Sequence, residues 1–342
     1  MKISYHLLDN LDDLVKLSLS FYPESEISTK EYLEWEYLQN PAGEAIVAVA
    51  KDDENTVGQY IAIPVKIQHG PIYIKGSLSL NTLTKSDYQG KGLFPSMARE
   101  AFSRCKTVGV DFTFGFPNAS SFGGFISKLN FKHIGNLPLY ILPLNFIKAI
   151  FHFLFKGTNK RNVELDIIFN DSQSLITVLD LNEDGKLLTH FLGDFYRRNK
   201  FVTTRSVEWL KWRYVDIPIR KYTFLKETRN GVIVGMAVIR AKIISGVRTG
   251  IVVDSVVTND SIELFPYIKK LGKKNKLDLF IFTAPEDSRE VSEAKKIKFL
   301  QLPYTLMFKK LPFIIRSHTQ ENDKTIFEFK NWFLTFGDYD IF

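Results

Sequence analysis

The sequence predicts an α/β (α+β) chain made of two similar halves. Three observations carry this. Its 342 residues are enough for two domains of ordinary size. Strand-like and helix-like runs alternate along it. The chain also repeats itself. Trp35-Glu36-Tyr37, followed by Leu38-Gln39-Asn40-Pro41, returns 177 residues later as Trp212-Arg213-Tyr214, followed by Val215-Asp216-Ile217-Pro218. The same offset carries Gly58 in N-T-V-G-Q-Y-I-A-I-P-V-K onto Gly235 in G-V-I-V-G-M-A-V-I-R-A-K. Leu137-Pro138 matches Leu302-Pro303 at the shorter offset of 165. Three ordered matches, two in one register, mark one fold used twice.

The elements of the first half follow in order. K-I-S-Y-H-L-L reads as a strand and D-N-L-D-D-L-V-K-L-S-L-S-F-Y as a helix. Ser28 and Glu31 fit a capping box, with Ser28 as N-cap. The helix they open ends before Asn40-Pro41, because proline disfavours helical backbone in the residue before it. A-I-V-A-V-A and T-V-G-Q-Y-I-A-I-P-V-K flank a D-D-E-N turn, which is a hairpin pattern. The strand S-L-S-L-N-T-L-T, a glycine loop and the helix F-P-S-M-A-R-E-A-F-S-R-C come next. The strand D-F-T-F-G-F-P and the short helix S-F-G-G-F-I-S-K-L follow.

Leu137 to Lys156 is as long as a membrane span, but Pro138, Pro143, Asn145, Lys148 and His152 interrupt it. It reads as a strand ending at Pro143 and a short amphipathic helix packed between domains, and no membrane contact is expected. The polar run 157–162 reads as a linker between a first domain, 1–156, and a second, 163–342. The second domain repeats the order of elements.

Hydrophobic residues make up 45% of the chain and charged residues 24%, which is a globular balance. The net charge of +7 favours anionic partners, but there is no arginine-rich tract, and no nucleic acid partner is expected. A single cysteine, Cys105, excludes an internal disulfide and suits a reducing compartment. The start of the chain lacks a signal-like apolar run, so a cytoplasmic location is expected.

Gln89-Gly90-Lys91-Gly92-Leu93-Phe94 stands between a strand and a helix. A turn of this kind aims unpartnered N–H groups and the positive end of the helix dipole at one point, which suits an anion. Two glycines allow close backbone approach. A Walker loop requires G-x-x-x-x-G-K-[S/T], which is absent, and a dinucleotide fingerprint requires a third glycine where Pro95 stands.

The loop resembles the GNAT acyltransferase superfamily, whose signature is [Gln/Arg]-x-x-Gly-x-[Gly/Ala]. Gln89 and Gly92 match its first anchors, and Phe94 departs from the last and narrows the loop. Asn118 and Lys128-Leu129-Asn130-Phe131 resemble the second family motif, with Asn130 in place of glycine and Ile126 in place of tyrosine. Within the superfamily the chain resembles bacterial proteins with two tandem domains, each a mixed, mostly antiparallel sheet flanked by helices.

What the resemblance implies is acetyl-CoA as cosubstrate. Its pyrophosphate would sit on Gln89, Gly90, Lys91, Gly92, Leu93 and Phe94. Its pantetheine arm would lie along Leu80, Thr82 and Leu83, with Asn118 close by. A small amine would attack the thioester directly. With Ile126 in the usual tyrosine position, the candidates for the thiolate acid are Asn118, Ser120, Ser121 and Tyr140. Asn81 would position a water or the amine. Glu36, Asp338 and Asp340 are the candidate bases, and His133 is a further residue near the motif. No histidine spacing fits a metal, and none is expected. The second half has no glycine loop, and Thr258-Asn259-Asp260-Ser261 reads as a helix cap. Two alternatives stay open: transfer of aminoacyl groups from tRNA to peptidoglycan precursors, and a non-catalytic acyl-CoA or partner-binding module.

Overall fold

A computed structural model describes residues 3–7, 10–145, 163–169, 175–307, 310–319 and 324–339. The expected helix beyond Leu144, the linker 157–162 and Asp340 lie outside the described residues.

The first half runs β1 (Ile3–Leu7), α1 (Leu11–Phe21), α2 (Lys30–Leu38), β2 (Ile46–Asp52), β3 (Asn55–His69) and β4 (Ile72–Thr84). It continues with α3 (Leu93–Thr107), β5 (Phe112–Gly115), α4 (Ala119–Leu129), β6 (Lys132–Asn136) and β7 (Tyr140–Pro143). The second half opens with β8 (Val163–Leu165), β9 (Ile176–Val178), α5 (Gly185–Arg198), β10 (Phe201–Thr203) and α6 (Val207–Tyr214). Then come β11 (Thr223–Arg229), β12 (Val232–Ile244), β13 (Val247–Val257), α7 (Leu264–Lys274) and β14 (Leu279–Phe282). The described chain ends with α8 (Arg289–Lys296), β15 (Leu300–Gln301), β16 (Pro312–Ser317) and β17 (Trp332–Phe333).

These strands form two mixed, mostly antiparallel sheets with the same order of elements. The first is β1-β2-β3-β4-β5-β16-β6 and the second β9-β11-β12-β13-β14-β7-β15. Only one pair along each of these paths is parallel, β4–β5 in the first and β13–β14 in the second. The sixth strand of each sheet comes from the other half of the chain. Both crossings fall on the repeated Leu-Pro pair. After β6 the chain passes Leu137-Pro138 and enters the second sheet as β7, and after β15 it passes Leu302-Pro303 and later enters the first sheet as β16. The Leu137 amide donates to Leu311 O (2.9 Å) and the Leu302 amide to Leu139 O (2.7 Å), so the crossing segments are paired to each other.

β3 and β12 are buried on both faces, and their apolar runs are nearly continuous rather than alternating. One core joins the inner faces of the two sheets, and further cores lie beneath α3 and α4 and beneath α7 and α8. Among the described residues no helix is long and apolar enough to cross a membrane.

One local expectation is corrected. The N-cap of α2 is Thr29, whose Oγ1 accepts from the Tyr32 amide, and not Ser28. Ser28 ends a short 3₁₀ turn, Glu26–Ser28, and donates its hydroxyl to Tyr22 O (2.6 Å).

Candidate functional site

The loop before α3 is built as an open cradle. Gly90 and Gly92 have φ of +76° and +79°, where side chains are strained. A Cβ on either would meet nothing within 4 Å. The amides of Gly90, Gly92, Leu93 and Phe94 donate to no acceptor among the described residues. No acidic residue stands in the first turn of α3 to offset its dipole. Gln89 braces the loop by donating Nε2 to Thr84 O (3.1 Å). The expectation that Phe94 narrows the loop is corrected. Its ring turns inward, 5.3 Å from Phe125, and a Cβ on Gly124 would stand 3.2 Å from it.

Next to the cradle, β4 and β5 part company. Their register runs from Gly76↔Phe112 to Ser79↔Gly115 and stops, so Leu80 to Thr84 continue without a strand on that edge. A register shift between Gln59 and Ile61 bulges β4 at this point. Asn81 takes φ of +45° there, and its carbonyl accepts from Gln59 Nε2 (2.8 Å). Thr82 Oγ1 is buried without a hydrogen-bond partner among the described residues, an arrangement that calls for a ligand or water.

The opening leads into a cleft of about 600 Å³ lined by Leu80, Asn81, Thr82, Leu83, Gln89, Asn118, Ser120 and Ser121. Asn118 is the N-cap of α4, and its Oδ1 accepts from the amides of Ser120 and Ser121, both at 3.0 Å. Asn130 ends that helix with φ of +57°, so asparagine supplies the left-handed backbone that glycine would give.

Of the candidate bases among the described residues, Glu36 is the one that lines the cleft. It is only 3% exposed. Asn81 Nδ2 donates to Glu36 Oε2 (2.9 Å) and lies 3.0 Å from the Tyr37 hydroxyl. Tyr22, Ser25, Glu26, Tyr32, Arg220 and Tyr339 also line the cleft and were not expected. Glu26 and Arg220 are 194 residues apart and belong to different halves, so no local pattern points to their pairing.

The remaining candidates lie elsewhere. Tyr140 sits in β7 of the second sheet, fully buried against Phe282, and does not line the cleft. Burial pushes its phenol up to about 12. The reason is the strand crossing, which carries Tyr140 away from Asn118. His133 stands on β6 against Phe122, also outside the cleft. Asp338 is buried in an ion pair with Arg205 (2.8 Å) and is not available as a base in the cleft.

The second half answers the same helix start differently. Leu93-Phe94-Pro95 at the start of α3 returns as Leu264-Phe265-Pro266 at the start of α7, a repeat that sequence reasoning missed. Here the cradle is filled by the chain itself. The wholly buried Glu227 carboxylate accepts from Ser261 Oγ (2.7 Å) and from the amides of Glu263 (3.2 Å) and Leu264 (3.0 Å). The expected cap from Thr258 to Ser261 is therefore completed by a carboxylate from β11. Glu227 of β11 pairs with Gly235 of β12, and in the first sheet the β2 residue that pairs with Gly58 is Ala50. The counterpart of Glu36 is Arg213, which donates to Gly337 O (3.2 Å) and Tyr339 O (3.0 Å) and so holds the chain's own tail.

Residues 9–134, which contain Glu36, Asn81, the glycine loop and Asn118, match the model of an acetyltransferase (GNAT) domain. No curated protein matches the chain in sequence. Among solved structures it is similar to the N-myristoyltransferase of Saccharomyces cerevisiae with bound myristoyl-CoA (TM-score 0.61, 13% identity, covering 93% of this chain and 79% of that one). It is also similar to a GCN5-related N-acetyltransferase of Anabaena variabilis ATCC 29413 (TM-score 0.65, 8% identity, 93% and 73%). A third likeness is to a protein of Enterococcus faecalis V583 described as a "probable N-acyltransferase" (TM-score 0.63, 13% identity, 93% and 73%). These likenesses show the fold over nearly the whole chain.

Proposed function

On the premise that residues 9–134 belong to the GNAT superfamily, we propose that the protein is a cytoplasmic acyl-CoA-dependent N-acyltransferase. Acetyl-CoA is the donor and the amine of a small molecule, such as an amino sugar or amino acid derivative, the acceptor. The observation that carries this is the start of α3, where four amides lack acceptors among the described residues, beside the parted strands β4 and β5. The second half supports it. At the matching helix start, a carboxylate occupies the amides that the first half leaves open.

In this reading the amides from Gly90 to Phe94, with Lys91, hold the diphosphate. The free edge of Leu80 to Leu83 and the hydroxyl of Thr82 take the amide groups of the pantetheine arm. When bound, the donor supplies an activated thioester. The chain's own residues then act on the acceptor. Glu36 takes the ammonium proton, directly or through a water, and Asn81 fixes one of its oxygens. The freed amine forms the C–N bond and the C–S bond breaks; the departing thiolate receives a hydrogen bond from Asn118 or Ser121 and, relayed by solvent, the second proton that the attacking nitrogen sheds as it becomes an amide. Cys105 takes no part: burial pushes its thiol up to about 11, which keeps it protonated. The second half has lost its own coenzyme site and serves as a wall of the first.

The test is thiol release from acetyl-CoA with a panel of amino acids, amino sugars and polyamines. Glu36→Gln should lower kcat by about 100-fold or more while acetyl-CoA binds as before. Binding without transfer to any amine would favour a binding module instead. Transfer that Glu36→Gln leaves unchanged would remove Glu36 from the chemistry.

A further inference from the structure

The Glu36 carboxylate is one end of a hydrogen-bonded chain that crosses from one half of the protein to the other. The Tyr32 hydroxyl lies 3.5 Å from Glu36 Oε1. Arg220 Nη2 donates to that same hydroxyl oxygen (3.2 Å). The guanidinium also holds Glu26, through Nε to Oε2 (3.0 Å) and Nη2 to Oε1. All four residues line the cleft.

Two further features show that Arg220 is placed with care. It arrives on a three-residue turn in which its amide donates to Pro218 O (2.9 Å). The central residue of that turn, Ile219, has φ of +72°, an outlier for a β-branched side chain. Such strain persists only where surrounding structure enforces it, and here it directs a guanidinium into the cleft. The Arg220 side chain is 3% exposed, against 24% for Glu26.

A guanidinium only donates. Because Arg220 gives a hydrogen to the Tyr32 oxygen, the hydrogen of Tyr32 must point elsewhere, and Glu36 is the acceptor in reach. We propose that Arg220, supplied by the second half, is a positioning residue of the acceptor site: it orients the Tyr32 hydroxyl toward Glu36 and ties the 22–28 turn over the cleft. This rests on reading Glu36 as the proton acceptor.

The electrostatics agree. Burial pushes the Tyr32 phenol well above its ordinary value, and the Glu36 charge pushes it further, so it stays a donor. Burial alone would raise Glu26, but Arg220 outweighs it and holds that carboxyl below the ordinary range. The other titratable groups around Glu36 are Tyr37, which shares Asn81 with it, and Arg213, Asp338 and Tyr339, which line a small neighbouring pocket with it. Beyond Glu26 stand Arg240 and Lys242.

The experiment titrates the Glu36 carboxyl by ¹³C NMR in glutamate-labelled full-length protein, its signal assigned by its loss in Glu36→Gln. Arg220→Gln should raise the midpoint by about half a pH unit or more, because a nearby positive charge and an oriented donor are lost together. Tyr32→Phe should move it in the same direction. Arg220→Lys should restore the midpoint but not the fork to Glu26, so acceptor KM should stay raised several-fold. An unchanged midpoint in Arg220→Gln, or an unchanged acceptor KM in that variant, would overturn the inference. Those results would leave the role of Glu36 standing if Glu36→Gln is inactive. An active Glu36→Gln would end that role, and the positioning role with it, whatever the titration shows.

Discussion

Trp35 and Trp212 stack at a centroid distance of 5.0 Å with their planes 18° apart, and each indole donates its N–H to the other's backbone carbonyl. The two bonds measure 2.7 and 3.0 Å and join residues 177 apart, the same offset that the sequence repeat shows. The pair ties α2 to α6 and lines one pocket with Glu36. Its local symmetry explains why both halves keep a tryptophan here.

Trp212→Phe preserves the stacking but removes one N–H, leaving the buried Trp35 carbonyl without its donor. It should destabilise the protein by about 1–3 kcal/mol. Urea unfolding of the two proteins measures this. The reciprocal Trp35→Phe should cost a similar amount, since the two bonds are near copies.

Glu227 is bound by the start of α7 as an anion would be, and Arg229 Nε reaches its other oxygen (3.0 Å). Glu227→Gln keeps the shape but removes the charge and sets an NH₂ against donors. A loss of about 2–4 kcal/mol is expected. Thermal unfolding reads it, and acetyl-CoA affinity should not change, because the site of the first half is untouched.

His318 is 7% exposed and bonds Thr113 Oγ1 through Nε2 (2.7 Å). Burial, with help from Arg316 and Lys106, lowers its imidazole to about 4. The unfolded chain, with an ordinary imidazole near 6.5, therefore binds more protons than the folded one between these values. Stability should fall as pH drops through that window, by up to about 3 kcal/mol at its lower end. His318→Gln should remove this part of the dependence. The check is the difference between the two proteins' unfolding free energies from pH 7 to pH 4.

Much of this was legible locally. The hairpin of β2 and β3, the cradle of Gly90 and Gly92 and the repeat around Trp35 and Trp212 depend on short-range patterns that the sequence carries openly. What failed was long-range. Tyr140 looked close to Asn118 along the chain, but an exchanged strand takes it to the other sheet. Glu36 stood only as one of three candidate bases, because its helix has no clean apolar stripe to mark it as buried. It is buried because both sides of α2 are covered, one of them by the second half. Arg220 meets Glu26 only through the packing of the two halves, which no spacing encodes. Glu227 was missed because its partner is a helix start in another element, although Leu264-Phe265-Pro266 marks where that helix begins.

The central claim is that the start of α3 binds the diphosphate of an acyl-CoA, and calorimetry with acetyl-CoA tests it most directly. The intact protein should bind. Gly92→Trp, which fills the cradle, and Lys91→Glu, which sets a negative charge beside it without backbone strain, should each weaken binding by about tenfold or more. Both variants should keep the native far-ultraviolet spectrum and unfold cooperatively. Equal affinity in all three proteins, or no binding by the intact one, would contradict the account.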